Sequence, residues 1–294
     1  MNRAPQRDLL FTVELVTVNL FTVNLNTLEG EWTPTEPEYR LTMTNLFGGA
    51  APFYAKYRPG HGEEAIGCLA RAFGPGSRVL DLGCGPGTVA IPLAGAVREV
   101  IAVDPDAGML AEGRRVAAGT PNIRWLPGDS TTLAALPPFD DVVMGRSFHW
   151  MDRRAVLAEL DLLLPPDGAV ALIGPSRDHS EHPWEPVVRE VRAEFAMNEF
   201  LAGNSFQASG EHHDDVLADS PFDRVEASLF EQRLTWDLDA VIGLQLSYSY
   251  TTPDRLGDRV AEFTDAVRRV LLAANPSGVW EERAITEVLV ARRP

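Results

Sequence analysis

At 294 residues, 45% hydrophobic and 23% charged, the chain is long enough to bury a sizeable core and reads as globular rather than disordered. A formal charge of −16 opposes attraction to phosphate backbones, which excludes DNA and RNA as expected partners. Cys68 and Cys84 form neither a disulfide framework nor a metal-site spacing, and no segment reaches the ~20 apolar residues that span a bilayer, so the expectation is a cytoplasmic protein without a membrane role.

Residues 9–28 (LLFTVELVTVNLFTVNLNTL) alternate apolar and polar side chains and contain the near-repeat FTVEL and FTVNL, a period of two that predicts strand. The phase changes between Leu15 and Val16, as a bulge or turn would require. Such an arm is either an added hairpin or an edge that joins a second subunit in a homo-oligomer. Pro34 and Pro37 then mark a linker over 30–38, which sets residues 1–46 apart as a β arm with its linker.

Residues 47–174 read as an α/β core, with a helix over 63–73, a strand over 78–82, a Gly-rich turn and a helix from Thr88 that Pro92 should bend or shorten. Strands at 99–103, 123–126, 141–144 and 169–173 alternate with helices at 107–118 and 153–164, the pattern of a Rossmann-like, doubly wound sheet. Residues 175–221 break the alternation with a polar, His- and acid-rich stretch around a predicted helix over 184–201, which reads as an inserted cap. Residues 222–294 return to the core with a strand near 225–230, helices near 238–248 and 253–274, and a closing strand over 284–291. The resulting fold class is α/β with a mainly parallel sheet, a C-terminal strand, a cap and the N-terminal arm.

The chemistry gathers at strand ends. Val79-Leu-Asp-Leu-Gly-Cys-Gly-Pro-Gly-Thr88 runs a buried strand into Gly83, Gly85 and Gly87, where a ligand can approach the backbone. The dinucleotide fingerprint needs G-x-G-x-x-G, whereas here the third glycine comes one residue early and Thr88 occupies its place. Asp81 can accept from an ammonium but would repel a pyrophosphate. The second strand ends in Asp104, placed to accept from both hydroxyls of a ribose. The third runs into Leu126-Pro-Gly-Asp-Ser130, where Asp129 can take an adenine amine and the Ser130 amide can donate to the ring.

DLGCGPG, VDPDAGML and PGDS resemble the successive motifs of class I S-adenosylmethionine (SAM)-dependent methyltransferases over roughly 47–173. Tyr54-Ala-Lys-Tyr-Arg-Pro-Gly60 and Arg146-Ser-Phe-His-Trp150 resemble a small-molecule subgroup with an aromatic entry segment over SAM and a His-Trp pair after the fourth strand. Arg146 departs from that subgroup, where a Gln usually stands. The resemblance implies Tyr57 and Arg58 at the methionine end, Asp81, Gly83 and Gly85 on the amino-acid portion, Asp104 on the ribose, and Pro105 and Met109 flanking adenine. Cys84, Gly87, Gly128, Asp129, Ser130, Arg146 and Ser147 complete the expected cofactor set, with the Cys84 thiol read as packing rather than chemistry.

Methyl transfer is an in-line displacement that needs no metal, and an amine or hydroxyl acceptor must lose a proton to attack. His149 is the candidate base, with a structural role as its alternative. Trp150, His179 and Tyr248 are expected to face a small-molecule acceptor. Asp178, Glu181, Glu185, Glu211, Asp214 and Asp215 suggest a cationic acceptor, such as an amino sugar in natural-product biosynthesis, whereas Arg146 suits a carboxylate or phosphate. Competing readings are a nicotinamide-dependent oxidoreductase and a non-catalytic SAM-binding protein.

Overall fold

In the computed structural model, which describes residues 46–177, 181–197 and 209–294, the alternating α/β pattern resolves into seven strands. These are β1 (Arg78–Leu82), β2 (Glu99–Asp104), β3 (Ile123–Pro127), β4 (Asp141–Gly145), β5 (Val170–Pro175), β6 (Arg224–Asp237) and β7 (Val279–Arg292). Among the described residues they form one sheet in the order β3-β2-β1-β4-β5-β7-β6. β1 to β5 pair in parallel, and β7 inserts antiparallel between β5 and β6. The expected Rossmann-like architecture therefore forms. The predicted N-terminal β arm and linker, together with Asp178 and His179, lie outside the described residues.

Strand alternation splits the apolar side chains onto two faces. Leu80, Leu82, Ile101, Val103, Val142 and Met144 face one layer, which includes Val156, Leu157 and Leu160 of helix α5 (Arg153–Leu163). Val79, Val100, Ala102, Val143 and Ile173 face the other, against helices α2 (Glu63–Phe73), α3 (Ala90–Ala94) and α4 (Ala107–Val116). The helix expected from Thr88 is shortened to the five residues of α3, which include Pro92. Pro92 is its third residue, so it lacks the amide that would reach back to the Thr88 carbonyl, and the helix starts at Ala90 rather than Thr88.

A third apolar cluster lies elsewhere. Trp184 and Val188 of the chain around α6 (Glu185–Glu194), Val241 and Leu244 of α8 (Leu238–Gln245), and Phe263 and Val267 of α10 (Val260–Ala274) pack with Trp236 and Trp280. Phe53 and Tyr57 of α1 (Ala51–Tyr57) close its edge. The intervening helices are α7 (His213–Ala218) and α9 (Pro253–Leu256). This helical lobe hangs on β6 and β7, whose pairing runs from Arg224↔Arg292 to Asp237↔Val279, whereas β5 reaches only to Pro175↔Thr286. The two strands thus continue past the carboxyl end of β5 as a ribbon.

The packing divides the chain differently from the sequence boundaries. Residues 238–274, expected with the sheet, build the lobe, while Val216 and Leu217, expected in the cap, pack under the sheet beside Phe222. The helix expected over 184–201 stops at Glu194, and Ala196 follows at a φ of 56°. The helix expected over 253–274 is broken at Gly257, which also has a φ of 56°.

Gly113 of α4 gives a test of the packing. Alanine is ordinarily the better helix residue by about 1 kcal/mol, but a Cβ at Gly113 would stand 2.5 Å from Trp125 Cη2. The clash should win. Gly113→Ala is expected to destabilise the protein by about 1–3 kcal/mol, read as a lower Tm in thermal denaturation.

Candidate active site

The turn after β1 uses its glycines for different purposes. A Cβ at Gly83 would stand 2.5 Å from Ser147 Cβ, and one at Gly87 would stand 2.7 Å from Trp125 Cη2, so both serve close packing. Gly85, with a φ of 53°, has no atom within 4 Å of its Cβ position and faces open space. It is the glycine of the turn at which a ligand can reach the backbone. Ser147 Oγ donates to the Leu82 carbonyl at 2.6 Å and clasps β4 to β1, so this expected cofactor contact spends its hydroxyl on the fold. The Cys84 thiol is buried, and desolvation with the nearby Asp81 and Asp104 pushes its pKa up, which keeps it protonated and inert.

Asp81 is 1% exposed, and neither carboxylate oxygen has a hydrogen-bond partner among the described residues. Desolvation, reinforced by Asp104 and only partly offset by the Ala90 amide, which lies nearby but outside hydrogen-bond geometry, pushes its pKa up to about 7. Asp104 is 8% exposed and accepts from the amides of Gly85 at 2.8 Å and Asp106 at 2.9 Å. Burial raises it to about 6, with those two amides pulling the other way. Each Asp104 oxygen takes one of these bonds and keeps a second lone pair for a ligand.

Beside Asp104, Pro105 is half-buried and Met109 buried at the start of α4. The Gly128 amide donates to the Asp104 carbonyl at 3.3 Å, which draws the loop after β3 to the same edge. Asp129 Oδ1 accepts from the Thr131 amide at 2.8 Å and from its hydroxyl at 2.6 Å, closing a tight turn that carries the half-buried Ser130. Gly83, Gly85, Asp81, Asp104, Pro105, Met109 and the 128–130 loop are thus gathered at the carboxyl ends of β1 to β3.

The aromatic entry segment differs from the expectation. The Tyr57 ring lies where a Cβ on Gly243 would be, so it packs α1 onto α8 and does not face the glycine turn. Tyr54 of the same helix, which opens the aromatic motif, meets Arg58 instead. The Arg58 guanidinium sits 4.9 Å from its ring and 4.3 Å from that of Tyr248. Arg58 also donates to Ser247 Oγ at 2.8 Å and to the Ser247 carbonyl at 3.1 Å. Trp150 packs edge-on to Phe47.

Two cavities open at the carboxyl ends of β4 and β5, and Arg146 lines both. One, of about 350 Å³, is walled by Ser147, His149, Pro175 and His213. The other, of about 220 Å³, lies between the sheet edge and the ribbon and is lined by Arg58, His182, Tyr248 and Glu282. His149 is stacked 6.3 Å from His213, and burial, with the positive field of His213, Arg153 and Arg58, pushes its pKa down to about 3. A base that weak does not take a proton from an ammonium of pKa ~10. His149 thus lines the larger cavity with a ring that burial keeps uncharged. His182 and Glu282, unmarked by any local pattern, meet across 100 positions, with Nδ1 2.9 Å from Oε1.

Asp81 carries a testable cost. Its folded pKa of about 7 lies above the unfolded value of about 3.9. The stabilising contribution is therefore complete below the unfolded value and is lost as pH rises through about 7. Asp81→Asn is expected to raise the Tm of the ligand-free protein by a few degrees at pH 8, with a smaller gain at pH 5. Thermal denaturation at the two pH values checks both the sign and the trend.

Residues 79–168 match the family model described as a methyltransferase domain. An uncharacterised methyltransferase of Mycobacterium tuberculosis is 30% identical over 246 residues, covering 81% of this chain and 90% of that protein. A trans-aconitate 2-methyltransferase of Methylobacterium nodulans is 32% identical over 145 residues, covering 48% of this chain and 54% of that protein. The solved structure of a putative type II methyltransferase from Anaeromyxobacter dehalogenans superposes with a TM-score of 0.55 at 23% identity, covering 81% of this chain and 98% of that one. With its sheet order, its glycine turn and these relatives, the chain belongs to the class I SAM-dependent methyltransferases.

Proposed function

We propose that the enzyme methylates an oxygen or nitrogen of a small polar metabolite held at the carboxyl ends of β4 and β5. The observation that carries this reading is the pair of cavities that share Arg146 as a wall, the larger of which adjoins the glycine turn through Ser147. Their volumes suit a compact metabolite rather than a polymer.

When bound, SAM supplies an electrophilic methyl group on a sulfonium. The unpartnered oxygens of Asp81 suit its ammonium, the remaining lone pairs of Asp104 suit the ribose hydroxyls, and Gly85 leaves room for the cofactor against the backbone. Pro105, Met109 and the 128–130 loop lie on the adenine side in this reading, with Arg58 toward the methionine carboxylate. A nicotinamide cofactor is disfavoured, because a buried carboxylate at Asp81 would repel a pyrophosphate.

The acidic cap gives little support to an amino-sugar acceptor. Glu181 pairs with Arg189 at 2.6 Å, Glu211 with Arg154 at 2.7 Å, Glu185 with Arg192, and Asp214 with Arg177. Acids neutralised this way attract a cation weakly. The relative named for trans-aconitate supports an oxyanion acceptor instead.

Calorimetry with SAM and with NAD tests the cofactor, and a metabolite screen read by mass spectrometry for a gain of one methylene tests the reaction. Asp104→Ala is expected to weaken SAM binding by about 1.5–3 kcal/mol, the range for hydrogen bonds to a charged group. A folded variant with unchanged affinity would remove Asp104 from the site.

A further inference from the structure

Arg146 is held in an unfavourable conformation and environment. Its φ of 56° places a side-chain-bearing residue in the left-handed region. Its Nε is enclosed without a partner, and no hydrogen bond or ion pair to its side chain is formed among the described residues. Burial lowers its pKa, yet a guanidinium keeps its proton even so. Arg58, of the same sign, faces it together with the neutral phenols of Tyr54 and Tyr248, while the carboxylates of Glu282 and Glu287 line the two cavities it borders without bonding to it. A half-buried guanidinium left without a direct partner is unfavourable, and a carboxylate is the group whose two oxygens match its fork.

The cavity beside it carries the same imprint. Its charged lining is the Arg58 and Arg146 guanidiniums and the Glu282 carboxylate, which leave one unit of positive charge when His182 is neutral. Arg58 is already anchored on Ser247 and sandwiched by Tyr54 and Tyr248. Arg146 has no such anchor. Across the cavity, Glu282 is 6% exposed and accepts from Trp236 Nε1 at 2.7 Å through Oε2. Its Oε1 lies 2.9 Å from His182 Nδ1, which fixes the proton on that nitrogen and makes Nε2 the basic one. Nε2 lies 3.4 Å from the Tyr248 hydroxyl, and the imidazole is stacked on Trp184 with ring centres 4.8 Å apart.

We propose that this cavity is the acceptor site and takes a small hydroxy acid, with its carboxylate on Arg146 and its hydroxyl directed to the His182–Glu282 pair. The proposal rests on the methyltransferase reading. In the step, the hydroxyl proton passes to His182 Nε2 as the acceptor oxygen forms a bond to the methyl carbon and the carbon–sulfur bond breaks. The sulfonium charge disappears with that bond, S-adenosylhomocysteine (SAH) leaves as the thioether, and the imidazolium is balanced by Glu282 until its proton passes to water. His149, too weak a base for this step, remains a wall of the neighbouring cavity.

The test uses the full chain saturated with SAH and titrated calorimetrically with lactate, malate, 4-hydroxybenzoate and 4-hydroxyphenylacetate, each beside its carboxamide. At least one acid is expected to bind ten times more tightly than its amide and to gain a methyl group, seen by mass spectrometry when SAM replaces SAH. Arg146→Gln should abolish the preference for acid over amide while SAM affinity stays within twofold. Arg146→Lys, which keeps the charge, should retain part of it. His182→Asn should leave acid affinity within threefold and lower kcat by about 10²-fold. The proposal is overturned if no acid binds, if acids and amides bind alike, if a bound acid is never methylated, if Arg146→Gln weakens SAM as much as the acid, or if His182→Asn turns over normally. A wild-type chain that binds no SAM would instead overturn the underlying cofactor reading.

Discussion

Charge held out of water at the carboxyl edge of the sheet is the constraint around which the rest of the molecule is arranged. Asp81 near the end of β1 and Arg146 just after β4 are of opposite sign, yet neither oxygen of the buried Asp81 nor the enclosed Nε of the half-buried Arg146 has a hydrogen-bond partner among the described residues. Each such ion costs on the order of several kcal/mol, a sum comparable with the whole net stability of a domain. Two continuous apolar layers, one on each face of the sheet, make that tolerable. They also fix strand ends rigidly enough that the two charges cannot relax toward each other. Ligands of the complementary sign then stabilise the folded state by more than their contacts alone would suggest, because they remove a standing penalty.

The strand order shows why this edge carries the charge. Neighbours run one way from β1 through β2 to β3 and the other way from β4 to β5, so a crevice opens between β1 and β4 at the carboxyl ends. The Ser147–Leu82 bond bridges that crevice at its floor, with Gly85 and Asp104 to one side and Arg146 to the other. The ribbon of β6 and β7 then extends past β5 and brings Glu282 and the lobe's Tyr248 to the same edge. The glycine turn and its two buried acids thus come from the first half of the sheet, and the walls of the two cavities largely from the second.

What the sequence disclosed follows from how local the physics is. Strands such as Arg78–Leu82 and Val170–Pro175 are buried on both faces and read as short apolar runs. The glycine turn and the acids after β1 and β2 sit within a few residues of those runs and were legible for that reason. The outer halves of β6 and β7 were not, because their ribbon carries Glu231, Gln232, Arg233 and Glu281 on largely exposed positions. Tyr57 and Tyr54 lie on one short helix, and only the position of Gly243 decides that Tyr57 turns toward α8. Gly87 reads as a ligand glycine until Trp125 of β3 is seen to occupy the space beside it. The His182–Glu282 pair depends on chain separated by 100 residues, with no spacing rule to announce it.

The place of β7 in the sheet bears on how the molecule comes to be folded at all. It is the last strand in sequence, yet it lies between β5 and β6 and supplies a hydrogen-bonding partner to each. During synthesis β1 to β5 can assemble as a parallel sheet with an open edge at β5, while β6 has no strand to pair with and the lobe has only half of its ribbon. Open edges of this kind invite association with other chains. Pairing β5 with β7 also closes a loop of more than a hundred residues, a late and slow step by the usual dependence of rate on contact separation. The wall that Glu282, Ala284, Ile285 and Thr286 give the smaller cavity therefore becomes complete only late in folding, well after the edge formed by β1 to β3.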